Sequence, residues 1–503
     1  MPLDDPPTST TPPVVRLCAA TVDELADRCP VPEYDRDALR PSIVHLGVGG
    51  FHRAHLATYV DDLCRAGSTD WGIVGAGLLP ADRAMADALE PQDELYVLVS
   101  RGADDTEARV IGSIVDYVLA VDDLDALLDL IAAPTTQIVS MTITEGGYPV
   151  DDVTGRYVPE RNAPGSAFAV LADGLERRRQ RTGRPLTVLS CDNIMENGHV
   201  ARVAALGAAA EISDELCRWI EAEVSFPNSM VDRITPATTD DDVAWVERHL
   251  GIADRWPVVA EPFRQWVVED RFAGDRLPLE DLDVIVTDDI EPYELTKLRL
   301  LNAGHSCLAY LASLDGFVTV DAAMADPQLG RFVHDLLHTE AKPTLPPAAG
   351  IDLDDYIASL IERFSNPAIG DQIARLCLDG TAKFPKFLIP TIRTQLATTQ
   401  RVTLAATALA GWCEYLRTGD AATLAKDPQL DTAVEHARRS LDDPAAFLAF
   451  EDVFGDVGRH PVFADAFSRA LSMLRDRGVQ STVSAALEES EPHDERHPIA
   501  GHH

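Results

Sequence analysis

At 503 residues the chain is long enough for two or more domains, each with a core of its own. Its 82 acidic residues against 43 basic ones leave a net charge of −39, which argues against nucleic acid and anionic membranes as partners. Eight scattered cysteines with no C-x-x-C pair predict reduced thiols, a cytoplasmic protein and no structural zinc. No apolar run reaches the length of a membrane span, and the Pro- and Thr-rich start lacks the features of a signal peptide.

In chain order, a short helix is expected near Val22 to Arg28, then a strand over Ser42 to Leu46. That strand runs into Gly47-Val48-Gly49-Gly50-Phe51-His52 and a helical pattern through Tyr59 and Leu63. Strand, Gly-x-Gly turn and helix is how a dinucleotide-binding unit opens. Gly47, Gly49, Gly50 and Phe51 are therefore candidate cofactor-binding residues, although His52 stands where the third glycine of the fingerprint belongs. A second strand, Trp71 to Leu79, leads to Asp82. A carboxylate there would hold the ribose hydroxyls of NAD and repel the extra phosphate of NADP. The neighbouring Arg83 pulls the other way, and Asp82 also suits a helix N-cap before Ala84 to Leu89.

Further strands are expected at Leu95 to Ser100, Ala108 to Ile114 and Gln137 to Thr144, with a helix at Leu124 to Ile131. Glu145 follows the third of these strands, in Thr144-Glu145-Gly146-Gly147-Tyr148. A helix at Ser166 to Arg181 and a buried-type strand at Leu186 to Ser190 lead to Asn193, again at a strand's C-terminal end and beside an expected helix start. Asn193 equally fits a turn. Phe226 to Pro236 reads as a loop, and Val284 to Thr287 as a strand. Beyond residue 288 helices dominate: Leu300 to Leu314, Leu329 to His338, Leu353 to Phe364, Ile373 to Leu378, Ile389 to Leu396, Leu404 to Thr418, Leu430 to Leu441 and Phe463 to Leu474. The fold class is α/β: a Rossmann-type N-terminal domain with a mainly parallel sheet over 1–287, then a mainly α-helical substrate domain over 288–455. Residues 489–503 read as a disordered tail.

Chemistry concentrates in the helix that starts at Pro292. Lys297, Asn302 and His305 lie in a mostly apolar segment and, at about 100° per residue, share one broad arc. A lysine in an apolar pocket can serve as a base near neutrality, an amide can hold an alkoxide, and a histidine can orient a hydroxyl. Together they suit metal-free oxidation of an alcohol. The same residues also fit a core helix with a snorkelling lysine. His334 and His338 share a helix face as zinc ligands would, without an evident third ligand.

Five stretches decide between these readings: Gly47 to His55, Thr144 to Tyr148, Ser190 to Asn193, Met230 to Pro236, and Lys297-x4-Asn302-x2-His305. In this order they resemble the mannitol dehydrogenase family, polyol-specific long-chain dehydrogenases and reductases, across nearly all of residues 40–485. The resemblance implies NAD(P)-dependent, zinc-independent oxidation of a secondary alcohol on a sugar alcohol, and the reverse ketose reduction; Asp82 favours NAD, and D-mannitol or D-arabinitol is the expected substrate. By motif match Lys297 would be the general base, Asn193 and Asn302 the alkoxide stabilisers, and His305 the residue that orients substrate. Asp232, Arg375 and Lys383 match positions that bind sugar hydroxyls, and Glu294 and Glu145 would line a proton route. The family fold also implies that residues 456–488 return to pack on the N-terminal domain.

Within the family, Phe226-Pro227-Asn228 and the run from Arg375 to Phe387 look like mannitol 2-dehydrogenases. Met195 to His199 and Glu261 to Trp266 look like fructuronate reductases, whose uronate Arg375 could clamp. Ala81 stands where a second ribose-side acid can occur. A non-catalytic sugar- or dinucleotide-binding protein is the reading from a different class. The charge and the lack of an apolar surface segment lean towards a monomer.

Overall fold

The computed structural model describes residues 13–151, 154–419, 427 and 429–491. The chain divides into two compact units, Met1–Glu291 and Pro292–His503.

The first unit is built on six parallel strands: β1 (Pro41–Leu46), β2 (Gly72–Gly77), β3 (Ile114–Leu119), β4 (Ile138–Met141), β5 (Leu186–Ser190) and β6 (Val224–Ser225). Their spatial order is β3-β2-β1-β4-β5-β6, so the sheet reverses direction of growth between β1 and β4. This is the doubly wound order of dinucleotide-binding folds. The central strands are apolar on both sides because helices cover both faces. On β1, Ile43 joins the core of Tyr59, Val60 and Leu63. Val44 and Leu46 enter the opposite core with Leu127, Ile131 and Leu171.

Three smaller sheets extend this unit. Tyr96–Arg101 lies between Val258–Ala260 and the antiparallel Thr106–Ile111. Gln265–Glu269 lies between the antiparallel Ser229–Asp232 and the parallel Ile285–Thr287. Val15–Arg16 pairs with Ile252–Ala253.

Several expected elements differ. Ala108 to Ile114 is the junction of two strands in two different sheets. The chain turns at Gly112-Ser113, where Asp61 Oδ1 accepts from the Gly112 amide at 3.0 Å and Ser113 Oγ donates to the Ala57 carbonyl at 2.6 Å. The helix expected near Val22 is a single 3-10 turn, Val22–Leu25. A helix, Asn197–Ala210, starts just after Asn193, where a helix start is expected, whereas the helices Asp214–Glu223 and Asp240–Leu250 and the strand Ser229–Asp232 inside the Phe226 to Pro236 loop have no counterpart in the sequence pattern.

The second unit is helical. Ala303–Leu314 and Thr403–Thr418 run through one large core, in which Leu308, Leu311, Leu404 and Leu409 are fully buried. The last helix, Pro461–Ser490, runs well beyond Leu474 across a break at Gly478, whose φ is +78°. Its Phe463, Phe467 and Leu471 belong to this helical core, and residues 456–488 fall in the second unit. The expected tail begins inside this helix, and residues 492–503 lie outside the described residues. Among the described residues no helix is long and apolar enough to cross a membrane.

Candidate functional site

In the first unit a cavity of about 510 Å³ opens where β1, β2 and β4 end. This is the switch point of the sheet, where such folds take ligands. Gly47, Gly49 and Asp82 line it, together with Leu78, Thr142 and Thr144. Gly47 has φ +88°, and a Cβ there would come within 2.4 Å of the Thr142 carbonyl oxygen, so only glycine fits. A Cβ on Gly49 would meet nothing within 4 Å, which leaves its backbone bare to the cavity. Gly50 and Phe51 fall outside the lining: Gly50 faces Thr235 and Val258, and the Phe51 ring stacks on His55 at 5.1 Å.

The missing third glycine has a structural reason. His52 is fully buried and lies flat on His45, ring centroids 3.4 Å apart. His45 is held by Ser140 Oγ at 2.8 Å and Thr142 Oγ1 at 2.9 Å. Burial pushes the His45 imidazole down to about 3 and His52 well below its usual range, so both stay neutral.

Asp82 precedes the helix Arg83–Leu89 without capping it through its side chain. Its Oδ2 accepts from the Leu78 and Leu79 amides at 2.7 and 2.8 Å, which closes the turn after β2. Its carboxylate also lines the cavity. Arg83 is drawn aside into an ion pair with Asp122.

Asp192, the neighbour of the candidate Asn193, has a role that no sequence motif signals. The Asp192 carboxylate accepts from the amides of Ile143 at 3.1 Å and Thr144 at 2.8 Å, and from the Tyr148 hydroxyl at 2.7 Å. Burial raises its pKa against the pull of these bonds. Asp192 therefore fixes the loop carrying Glu145, whose first residue, Thr144, has the unusual φ of +64°. Glu145 and Asn193 are both exposed, and Asp232 is buried at the end of its strand. Asn197 ties these loops together: its Nδ2 donates to the carbonyls of Asp192 and Ser229, and its Oδ1 accepts from the Ser229 amide.

In the second unit Glu294, Lys297, Asn302 and His305 lie on one continuous helical run that is not a uniform α-helix. Glu291–Thr296 is α, Lys297–Asn302 is a π-helical turn, and Ala303–Leu314 is α again. The arc expected at 100° per residue is therefore corrected: a wider turn separates Lys297 from Asn302. Such turns recur at functional sites because they re-aim side chains without breaking the helix. Lys297, His305 and Glu294 are buried, with 8%, 7% and 4% of their surface exposed. The His305 ring stacks on Phe364 at 3.9 Å.

The helices Ile373–Leu376 and Gly380–Phe387, which carry Arg375 and Lys383, pack on Ala303–Leu314. Lys383 Nζ donates to the Leu376 carbonyl at 3.2 Å. Arg375 is held by the Asp371 carboxylate, with contacts of 2.6 to 2.9 Å. His334 and His338 are each drawn to a carboxylate, Asp335 and Asp354, and among the described residues no group of three or more His, Cys, Asp or Glu could hold a metal ion.

Residues 41–281 match the Mannitol dehydrogenase Rossmann domain, and residues 289–475 the Mannitol dehydrogenase C-terminal domain. The chain belongs to the mannitol dehydrogenase family. It is 41% identical over 476 residues to mannitol 2-dehydrogenase of Phaeosphaeria nodorum, a match covering 90% of this chain and 83% of the relative. Among solved structures it is similar to Pseudomonas fluorescens mannitol 2-dehydrogenase in ternary complex with NAD and D-mannitol, at 41% identity and a TM-score of 0.84. That match covers 94% of this chain and all of the other. A D-sorbitol dehydrogenase in substrate-free form is similar at 35% identity and a TM-score of 0.85, covering 93% of this chain and all of the other.

Proposed function

We propose that this member of the mannitol dehydrogenase family is an NAD-dependent, zinc-independent polyol dehydrogenase. In this reading it oxidises D-mannitol or D-arabinitol to the ketose and catalyses the reverse reduction. The observation that carries the reading is the likeness over 94% of the chain to an enzyme captured with NAD and D-mannitol. The cavity at the switch point supports it, because a bare Gly49 backbone and a ribose-side carboxylate suit a dinucleotide. With Arg83 engaged by Asp122, NAD is favoured over NADP. NAD, when bound, supplies the hydride acceptor.

The chain's own residues would do the rest. Lys297, buried on its helix, takes the hydroxyl proton. The side-chain amides of Asn193 and Asn302 donate to the oxygen as negative charge grows on it. His305, set by the Phe364 stack, orients the hydroxyl. Asp232, Arg375 and Lys383 bind the remaining hydroxyls, and Glu294 and Glu145 relay the proton towards water. Residues 1–287 would hold the cofactor and 288–455 the substrate, in a cytoplasmic monomer.

The Asp371 contact supports a polyol over a uronate. A guanidinium already gripped by a carboxylate is a poor clamp for a second one.

Steady-state oxidation of D-mannitol, D-arabinitol, D-sorbitol and D-mannonate, each with NAD and with NADP and with a chelator control, tests the reading. Turnover of mannitol or arabinitol with NAD, indifferent to chelator, is expected. Turnover confined to mannonate would move the enzyme to the fructuronate reductases. Binding of NAD with no turnover of any substrate would leave a non-catalytic binding protein.

A further inference from the structure

A second cavity, of about 480 Å³, lies in the first unit and shares no lining residue with the one at the switch point. Its lining includes four arginines, Arg28, Arg109, Arg233 and Arg264, against two carboxylates, Asp62 and Glu107. In a chain with a net charge of −39 such a concentration of cations is an exception.

The carboxylates do not cancel it. Asp62 is shared, with Oδ1 on Arg109 and Oδ2 on Arg264, both at 2.6 Å. Each of these guanidiniums uses one nitrogen for that contact and has further N–H groups to offer. Arg264 also lies over the Tyr59 ring, 4.2 Å from its centroid, which fixes its plane. Arg233 is buried, with 6% of its surface exposed. Its hydrogen bonds go to neutral acceptors: the carbonyls of Glu261 and Ala54, and Ser100 Oγ at 3.0 Å. Among the described residues no carboxylate forms an ion pair with it. Burial and the charges of Arg264 and Arg109 push its pKa down to about 10, against a partial pull upward from the buried Glu261 carboxylate, so it remains a cation. Like charges held this close in a half-dry cavity raise the energy of the empty site, and an anion relieves them.

We propose that this cavity is a binding site for a phosphate dianion, gripped by Arg109 and Arg264 and held in the field of Arg233. Planar guanidiniums match the oxygens of a phosphate group two at a time. The volume exceeds that of the group itself and falls in the range of small-molecule pockets, so the phosphate can carry an organic moiety such as a sugar. Asp62 moves from sole acceptor to one of two anions, and binding is strongest where ionic strength is low. The site is independent of the catalytic reading.

Isothermal titration of the full chain tests this, with and without saturating NAD. The probes are fructose 6-phosphate, inorganic phosphate, fructose, and sodium chloride at matched ionic strength. One phosphate site per chain that survives saturation with NAD is expected, with no saturable heat from fructose or chloride. Arg109→Gln and Arg264→Gln should each weaken it by at least about tenfold, while Arg459→Gln, far along the chain on an exposed pair with Glu451, should not. Thermal melts check that each variant is folded, and Arg109→Lys or Arg264→Lys, which loses the planar fork, replaces either one that is not. Tighter binding of fructose 6-phosphate than of phosphate would make a sugar phosphate the occupant; equal affinities would make it free phosphate. No saturable heat from either, loss of the site on adding NAD, or unchanged affinity in the folded arginine variants would overturn the proposal.

Discussion

The imidazole of His305 lies on the ring of Phe364, centroids 3.9 Å apart and planes 22° from parallel. Phe364 ends the helix Leu353–Phe364, so the contact transmits the position of that helix to the proposed substrate histidine. Phe364→Leu removes the stacking face while keeping most of the apolar volume. We expect KM for mannitol to rise and kcat/KM to fall by about tenfold, roughly 1.4 kcal/mol. NAD affinity should be unchanged, and Phe364→Tyr should keep most of the activity. Steady-state kinetics on the three proteins checks this.

Gly47 and Gly49 should fail in different ways. Gly47→Ala combines a left-handed φ with a backbone clash, so it should lower Tm and weaken NAD together. Gly49→Ala adds a methyl where nothing stands, so Tm should hold while NAD binding weakens by more than about tenfold. Calorimetric melts and cofactor fluorescence titrations separate the two.

Cofactor choice should depend on a pair of neighbours with opposite charges. Asp82→Asn removes repulsion from a 2′-phosphate, and Asp122→Asn releases Arg83 to meet one. The double variant is expected to shift the NADP-to-NAD ratio of kcat/KM by about 100-fold, most of it lost at high salt because the freed Arg83 is exposed to solvent.

Glu340 gives a pH signature to stability. It is buried, accepts from the Leu404 amide at 2.7 Å and the Ala405 amide at 2.9 Å, and burial raises its pKa to about 7. Between its unfolded value near 4.5 and the folded value, the folded state holds the extra proton. Stability therefore falls as pH rises through that window, by about 3 kcal/mol from this group. Glu340→Gln should flatten this part of the stability profile. Denaturant midpoints from pH 4.5 to 8 on both proteins measure the difference.

Asp192→Asn should loosen the loop that begins at Thr144. The amide loses one of two equivalent acceptors, and the strained Thr144 backbone loses a charge-assisted anchor. A drop in kcat of about tenfold with a Tm lowered by only a few degrees is expected. Kinetics and melts together check it.

What could be read from the sequence was whatever a local period or a special backbone position dictates. β1 announced itself through Ile43, Val44 and Leu46, and Gly47 through the turn that only glycine can make. The helix over Leu353 to Phe364 followed from its apolar spacing. What escaped was set by distant partners. Ser229–Asp232 is a strand only because Gln265–Glu269 lies beside it. The extent of Asn197–Ala210 was hidden because it is so rich in alanine that its two faces barely differ. The role of Asp192 depends on amides nearly fifty positions away along the chain, and the π-helical turn at Lys297 leaves no trace in the spacing of leucines. The four arginines of the second cavity come from four separate segments, each unremarkable alone.

The pairing of Val15–Arg16 with Ile252–Ala253 bears on how the chain is made. During synthesis the first strand must wait for almost the whole of the first unit before its partner leaves the ribosome. Tyr96–Arg101 waits as well, for Val258–Ala260. Long-range parallel pairing of this kind is slow, and waiting strands present unpaired edges. The second unit lies wholly downstream of Glu291, so its helices emerge when these edges can already have closed. Nascent chains arrested just before Ile252 should therefore be protease-sensitive and prone to bind chaperones, and chains arrested some forty residues later should not.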